Sequence, residues 1–151
     1  MRRKPDRPNW NAYFRVIMDA VSRRSTCLRR KVGCVFTSED HHILATGYNG
    51  APQGIQHCLT TGCLREELGV PSGERHELCR AVHAEQNAIC QAAKHGTSLK
   101  DSTVYVSVAP CIICAKMLIN VGIKKLFYFN GYGEQKGLLL LEEAKIETKR
   151  L

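Results

Sequence analysis

His83 and Glu85 stand two positions apart in "AVHAEQ" (81–86), and Cys111 and Cys114 stand three apart in "APCIIC" (109–114). Histidine, cysteine and carboxylate side chains ligate metals and move protons, so these two stretches are where chemistry is to be sought. Residues i and i+3 of a helix share a face, so Cys111 and Cys114 can grip one ion. Residues i and i+2 sit about 200° apart and do not share a face. His83 and Glu85 can still point into one pocket if they lie at the very start of a helix, where the chain is turning in. A helix N-terminus also lowers a nearby thiol's pKa, favouring the thiolate that a metal needs. One histidine and two cysteines make three protein ligands. Zinc sites with an open fourth position are catalytic, and closed ones are structural. Glu85 then reads as a base beside the metal's water, not as a ligand. The plainer alternatives are a closed zinc site or two buried cysteines, and for Glu85 an acid favoured by the helix dipole.

The elements that must position these residues follow from periodicity. Trp10, Tyr13, Phe14, Ile17, Ala20 and Val21 recur at helical spacing, which predicts an amphipathic helix over 9–24. "KVGCVFTS" (31–38) and "HILATGYN" (42–49) read as two strands joined by a polar turn, an antiparallel hairpin. Residues 50–80 are rich in Gly, Pro, His and Cys, with one short helical piece, "CLREEL". A helix over 82–95 ends at Gly96, and "STVYVSV" (102–108) is a strand. A second helix over 110–121 carries Pro110 in its first turn and Gly122 past its end. "KKLFYF" (124–129) is a strand and 134–145 a helix. The order α-β-β-α-β-α-β-α, with no repeats and no internal boundary, predicts a single α/β domain over 1–151, one mixed sheet with helices on its faces. The later strands each follow a helix and are expected to run parallel. Cys34 and Cys90 fall among apolar neighbours in a strand and a helix, and are expected in the core.

Composition narrows the class. The 151 residues are 44% hydrophobic, enough for one core, and hold no apolar run near 18 residues that would span a membrane. The basic start "MRRKPDRPNW" has no apolar stretch behind it and does not read as a secretory signal. Eight cysteines without such a signal point to a reducing, cytoplasmic setting, where clustered cysteines mean metal or catalysis. The net charge of +8 lies in residues 1–31, which hold ten Arg or Lys against two Asp. A basic end favours phosphate-bearing partners; a solubilising tail is the plainer reading for Arg2 to Arg7.

The combination H-x-E…P-C-x-x-C resembles the signature of zinc nucleoside and nucleobase deaminases. Over nearly its full length the chain is similar to the deoxycytidylate (dCMP) deaminase family. The resemblance is carried by "STCLRRKVG" (25–33), "GYNGAP" (47–52), "CRAVHAEQNAI" (79–89), "PCIICAKMLINVGIKK" (110–125) and "YFNGY" (128–132). Ala109 before Pro110 is a small departure, since the family often has Thr, Ser or Glu there. The resemblance implies a three-layer cytidine-deaminase-like fold, a mixed five-stranded sheet flanked by helices. It implies hydrolysis of dCMP to dUMP and ammonia, with His83, Cys111 and Cys114 as catalytic zinc ligands and Glu85 as proton shuttle. It also implies a homo-oligomer, dimer to hexamer, activated by dCTP and inhibited by dTTP near the "GYNG" loop, with Mg2+ accompanying those nucleotides.

Substrate contacts are less defined. The resemblance implies a sugar-hydroxyl contact for Asn49, which also reads as a turn residue in Asn-Gly. Tyr132 is placed to stack on the base or to be an ordinary surface tyrosine. Arg29, Arg30, Lys31 and Lys94 are candidates for the 5′-phosphate. The insert at 50–80 is long for a structureless segment and poor in large apolar residues, so something must pin it. Some relatives of dCMP deaminase hold a second, structural zinc in these regions. Cys27, Cys58, His76 and Cys79 are the favoured ligands, with Cys63 a rival for any of them and His57 nearby; free thiols are the alternative. Rival functions are a tRNA adenosine deaminase or other nucleobase deaminase, and a non-enzymatic zinc-scaffold accessory protein. Few aromatics, 7%, weigh against nucleic acid as a partner, and an intact Glu85 weighs against a scaffold.

Overall fold

The structure is a computed structural model, and it describes residues 6–131 and 135–151. Asn9 begins the first helix: its side-chain oxygen accepts a hydrogen bond from the Ala12 N–H at 2.9 Å, so α1 (Trp10–Ser22) starts capped. β1 (Gly33–Thr37) and β2 (Ile43–Tyr48) form the expected hairpin. The insert holds two one-turn helices, α2 (Cys58–Thr61) and α3 (Leu64–Glu67), and a 3-10 turn at His76–Leu78. Then follow α4 (Ala84–His95), β3 (Thr103–Val108), α5 (Ile112–Asn120), β4 (Lys125–Asn130), α6 (Lys136–Glu143) and β5 (Glu147–Arg150).

The sheet runs β2-β1-β3-β4-β5. β1 is antiparallel to both neighbours, and β3, β4 and β5 are parallel to one another. The expectation of parallel later strands therefore holds within that trio and fails where β3 meets β1. The fifth strand, "ETKR", escapes the periodicity of the sequence, which carries the last helix to 145. It is an edge strand with mostly exposed side chains and no apolar alternation to mark it.

Alternation along the central strands sorts the core into two layers. Cys34, Phe36, Val104 and Val106 face α4, α5 and α6, and pack with Ala84, Ala88, Leu118 and Leu141. Val35 and Tyr105 face the other way, onto Phe14 and Met18 of α1. β1 is buried at every position because both its faces are covered. Cys34 is core as expected, but Cys90 is exposed: it lies on the solvent side of α4.

Two close approaches set where the helices begin. A Cβ added at Gly47 would lie 2.2 Å from the Ala84 carbonyl oxygen and 2.5 Å from the Ala88 amide nitrogen. Only glycine lets β2 pass this near to α4. At Gly137 the same atom would lie 2.1 Å from the Pro110 carbonyl oxygen, so α6 leans directly on the approach to α5.

Candidate active site and metal centre

The two short motifs meet at the starts of two neighbouring helices. His83 is the N-cap of α4, extended at φ −68° and ψ 157°, and Cys111 is the N-cap of α5 with φ −68° and ψ 167°. Neither residue has helical dihedrals, so the 200° rule does not govern His83 and Glu85. The extended N-cap and the second helical residue are free to face one pocket. The His83 backbone N–H donates to the Gln86 side chain at 3.0 Å, which fixes this helix start. Pro110 precedes the α5 N-cap, and is not the first helical residue.

His83 Nδ1 lies 3.5 Å from Cys111 Sγ and 3.4 Å from Cys114 Sγ. Tetrahedral zinc with its usual bond lengths to nitrogen and sulfur would set those atoms about 3.6 Å apart. The donor set therefore fits zinc in type and in spacing. Among the described residues, these are the one group of three His, Cys, Asp or Glu donors all within 4.8 Å of one another. Cys114 is fully buried and Glu85 only 4% exposed. The Cys111 thiol is pulled down to about 3, first by a hydrogen bond from Cys114 and also by His83, while that same bond, burial and the Glu85 charge push Cys114 up. The pair thus holds a thiolate ready for a cation. Hydrogen bonding to Cys111 raises His83, and burial raises the Glu85 carboxyl. A carboxyl raised in this way suits proton transfer near neutral pH.

His83, Glu85 and Cys111 line a cavity that is open to solvent. Its walls carry Arg29, Arg30 and Arg65, and Glu85 is its one carboxylate among the lining residues. Asn49, also lining it, is 8% exposed. Its Oδ1 accepts from the Val32 N–H at 2.8 Å and the Ser25 hydroxyl at 2.6 Å, and its Nδ2 donates to the Arg30 carbonyl at 2.8 Å. Three of the four hydrogen-bonding positions of the amide thus tie the 25–32 loop to the end of β2, and one N–H remains for a ligand.

Several expectations need correction. Lys94 sits in the last turn of α4, about 15 Å along the helix from its start, because ten residues at the usual rise separate them. It does not line the cavity, and neither does Lys31. Tyr132 lies outside the described residues. Cys27, Cys58, Cys63 and Cys79 gather on one side of the cavity, and Cys58 is raised first by burial and then by its three thiol neighbours. His76 lines the same cavity as the thiols. Its ring packs edge-on against His83 at 4.9 Å, and burial lowers its pKa. The structure thus sets His76 beside His83, and Cys63 among the other thiols. Nothing in the sequence singles out Arg65 or Ser25. Arg65, next to Glu66 and Glu67, looks there like part of a solvated helix face.

The profile described as "Cytidine and deoxycytidylate deaminase zinc-binding region" matches residues 8–130. The chain is 31% identical over 145 residues to a deoxycytidylate deaminase of Schizosaccharomyces pombe, covering 95% of this chain and 44% of that one. It thus spans less than half the length of that relative. It is 38% identical over 127 residues to the deoxycytidylate deaminase of Mycobacterium phage D29, covering 81% of this chain and 95% of the phage protein. The crystal structure of dCMP deaminase from the cyanophage S-TIM5 in complex with dCMP and dUMP superposes with a TM-score of 0.81 at 29% identity, covering 96% and 98% of the two chains. Motif, donor geometry, sheet order and these matches converge: the chain belongs to the cytidine and deoxycytidylate deaminase zinc-binding family.

Proposed function

We propose that this chain, acting over 1–151 as one deaminase domain, hydrolyses dCMP to dUMP and ammonia. The observation that carries the reading is the buried Glu85 beside the His83, Cys111 and Cys114 cluster, at a cavity whose walls hold three arginines. Zinc, when bound by His83 Nδ1 and the two thiolates, supplies Lewis acidity that makes water a nucleophile at neutral pH. Glu85 accepts the proton that water gives up as its oxygen bonds to C4 of the cytosine ring. Glu85 delivers that proton to ring N3, takes the remaining proton from the hydroxyl now on C4, and passes it to the amino group, which leaves as ammonia as C4=O forms. The α4 N-terminus and its cap hold Glu85 within reach of the reacting carbon, and burial keeps the carboxyl protonatable. The arginines favour an anionic substrate, a nucleotide over a nucleoside. The S-TIM5 relative, crystallised with dCMP and dUMP, supports the same choice.

The wider reading follows the family. Cys27, Cys58 and Cys79, with His76 or its rival Cys63, would hold a second, structural zinc that pins the insert. In the insert, Ile55, Leu59, Leu64 and Leu68 stand between 48% and 59% exposed, which supports a homo-oligomer. dCTP and dTTP, with Mg2+, act as effectors, and the protein works in the cytoplasm. No helix among the described residues is long and apolar enough to cross a membrane. The test is a substrate panel read by ammonia release: dCMP, deoxycytidine, cytosine, and adenosine in tRNA. Preferential turnover of dCMP is expected. Turnover of tRNA adenosine with none of dCMP would sink the reading.

A further inference from the structure

α3 is turned inside out. Leu64 is 48% exposed while Arg65, the next residue, is only 8% exposed. Taking a guanidinium out of water costs several kcal/mol unless a counter-charge and hydrogen bonds compensate it. Among the described residues Arg65 has no carboxylate partner. The ion pairs there join Arg75 to Glu77, Lys124 to Glu39 and Lys125 to Glu147, all on other parts of the chain. One hydrogen bond is described for the Arg65 side chain, from Nη2 to the Pro71 carbonyl at 3.1 Å. Its Nε is buried without an acceptor. An arginine has five N–H donors in a fixed fork, and its Nε–H joins a neighbouring Nη–H along one of the two edges that can grip two oxygens.

Position makes this orphaned donor informative. Arg65 lines the same cavity as His83, Glu85 and Cys111. The other two arginines there differ in kind. Arg30 is solvent-exposed, and Arg29 is half-buried, with Nη1 donating to the Val70 carbonyl at 3.0 Å. Adjacent carbonyls, of Val70 and Pro71, thus anchor Arg29 and Arg65, and one turn aims both guanidiniums at the cavity. A buried guanidinium whose Nε–H has no acceptor, in a cavity whose one lining carboxylate is needed for proton transfer, calls for an anion that arrives with the ligand.

Resting on the proposed nucleotide reading, we infer that Arg65 is the specificity-determining residue that grips the 5′-phosphate of the substrate. It distinguishes a nucleoside monophosphate from a nucleoside. The phosphate in turn supplies the counter-charge that the folded chain lacks at this point.

The experiment compares wild type, Arg65→Gln and Arg65→Lys in three readouts. The first is kcat/KM on dCMP and on deoxycytidine. Arg65→Gln is expected to lose on the order of 100-fold on dCMP, from the loss of charge-assisted hydrogen bonds. Its deoxycytidine rate should change by no more than about threefold, since the larger loss requires the phosphate partner that the nucleoside lacks. Arg65→Lys should recover only part, because a point charge replaces a fork. The second readout is the melting temperature without ligand. Arg65→Gln should match or exceed wild type, because an uncompensated buried charge has been removed. The third is thermal protection by inorganic phosphate, expected in wild type and lost in Arg65→Gln. Equal losses on both substrates, or a lowered melting temperature with phosphate protection intact, would assign Arg65 a structural role and overturn the inference. If wild type leaves dCMP untouched, the proposed function fails, and the phosphate readout still decides on Arg65. Protection that depends on Arg65 upholds it as an anion reader, and equal protection of wild type and variant overturns it.

Discussion

Replacing Asn49 with alanine tests whether this residue serves the fold, the substrate or both. The substitution strips the acceptor from the Val32 N–H and the Ser25 hydroxyl, and the donor from the Arg30 carbonyl. The Ser25 hydroxyl keeps a second partner, the Asn49 carbonyl at 2.9 Å, so its loss is small. The Val32 N–H and the Arg30 carbonyl each lose their Asn49 partner in a half-buried loop. Each orphaned group costs roughly 1–3 kcal/mol when buried, so about 2–4 kcal/mol is expected for this partly wet pair. For a chain of this size each kcal/mol moves the melting temperature by about 2–4 °C, which gives a fall of about 5–15 °C. Turnover of dCMP should fall as well, because the loosened 25–32 loop carries Arg29 and Arg30 into the cavity wall. Asn49→Asp keeps the acceptor but sets an oxygen against the Arg30 carbonyl, so an intermediate loss is expected. Scanning calorimetry on zinc-loaded protein, with kcat and KM measured beside it, separates the roles. A melting temperature within about 2 °C of wild type, with only KM raised, would refute the claim that this amide network holds the loop.

Glu85→Gln should keep its zinc, by metal analysis, and lose about 10²–10⁴-fold in kcat, the usual contribution of a general acid–base group; wild-type turnover would remove Glu85 from the mechanism. Metal analysis of untreated protein should find two zinc ions per chain, falling to one in the Cys58→Ser, Cys79→Ser double variant. One zinc in wild type would return the four thiols to ordinary cysteines. Gly47→Ala drives a Cβ into the α4 backbone and should destabilise the fold by about 1–3 kcal/mol or more in urea unfolding; an unchanged midpoint would mean that α4 can shift without cost. dCTP should raise and dTTP lower the rate on dCMP at low substrate, and rates indifferent to both would end the effector reading.

Features encoded within a few residues are legible in the chain itself. H-x-E and C-x-x-C each span four positions or fewer, and a helix start turns such spacing into geometry through the covalent backbone alone. That fixes the geometry within each motif, whereas the meeting of His83 with Cys111 and Cys114 depends on α4 and α5 starting side by side. The same locality makes α1 and the hairpin legible, because helical and alternating periods report which face is apolar. Every question of what lies opposite needs the folded molecule. β5 is polar and carries no pattern of its own, because pairing to β4 is what makes it a strand. Cys90 has apolar neighbours in sequence, yet it lies on the side of α4 turned away from the core. Lys94 is close to His83 in sequence number but at the far end of a rigid rod. Composition groups His76 with the thiols, and only packing shows that its ring also lies against His83. α3 buries Arg65 and exposes Leu64, an inversion that no period of hydrophobicity announces. Burial and partner choice depend on which surfaces the fold brings together across many residues of separation, and that information resides in the contacts.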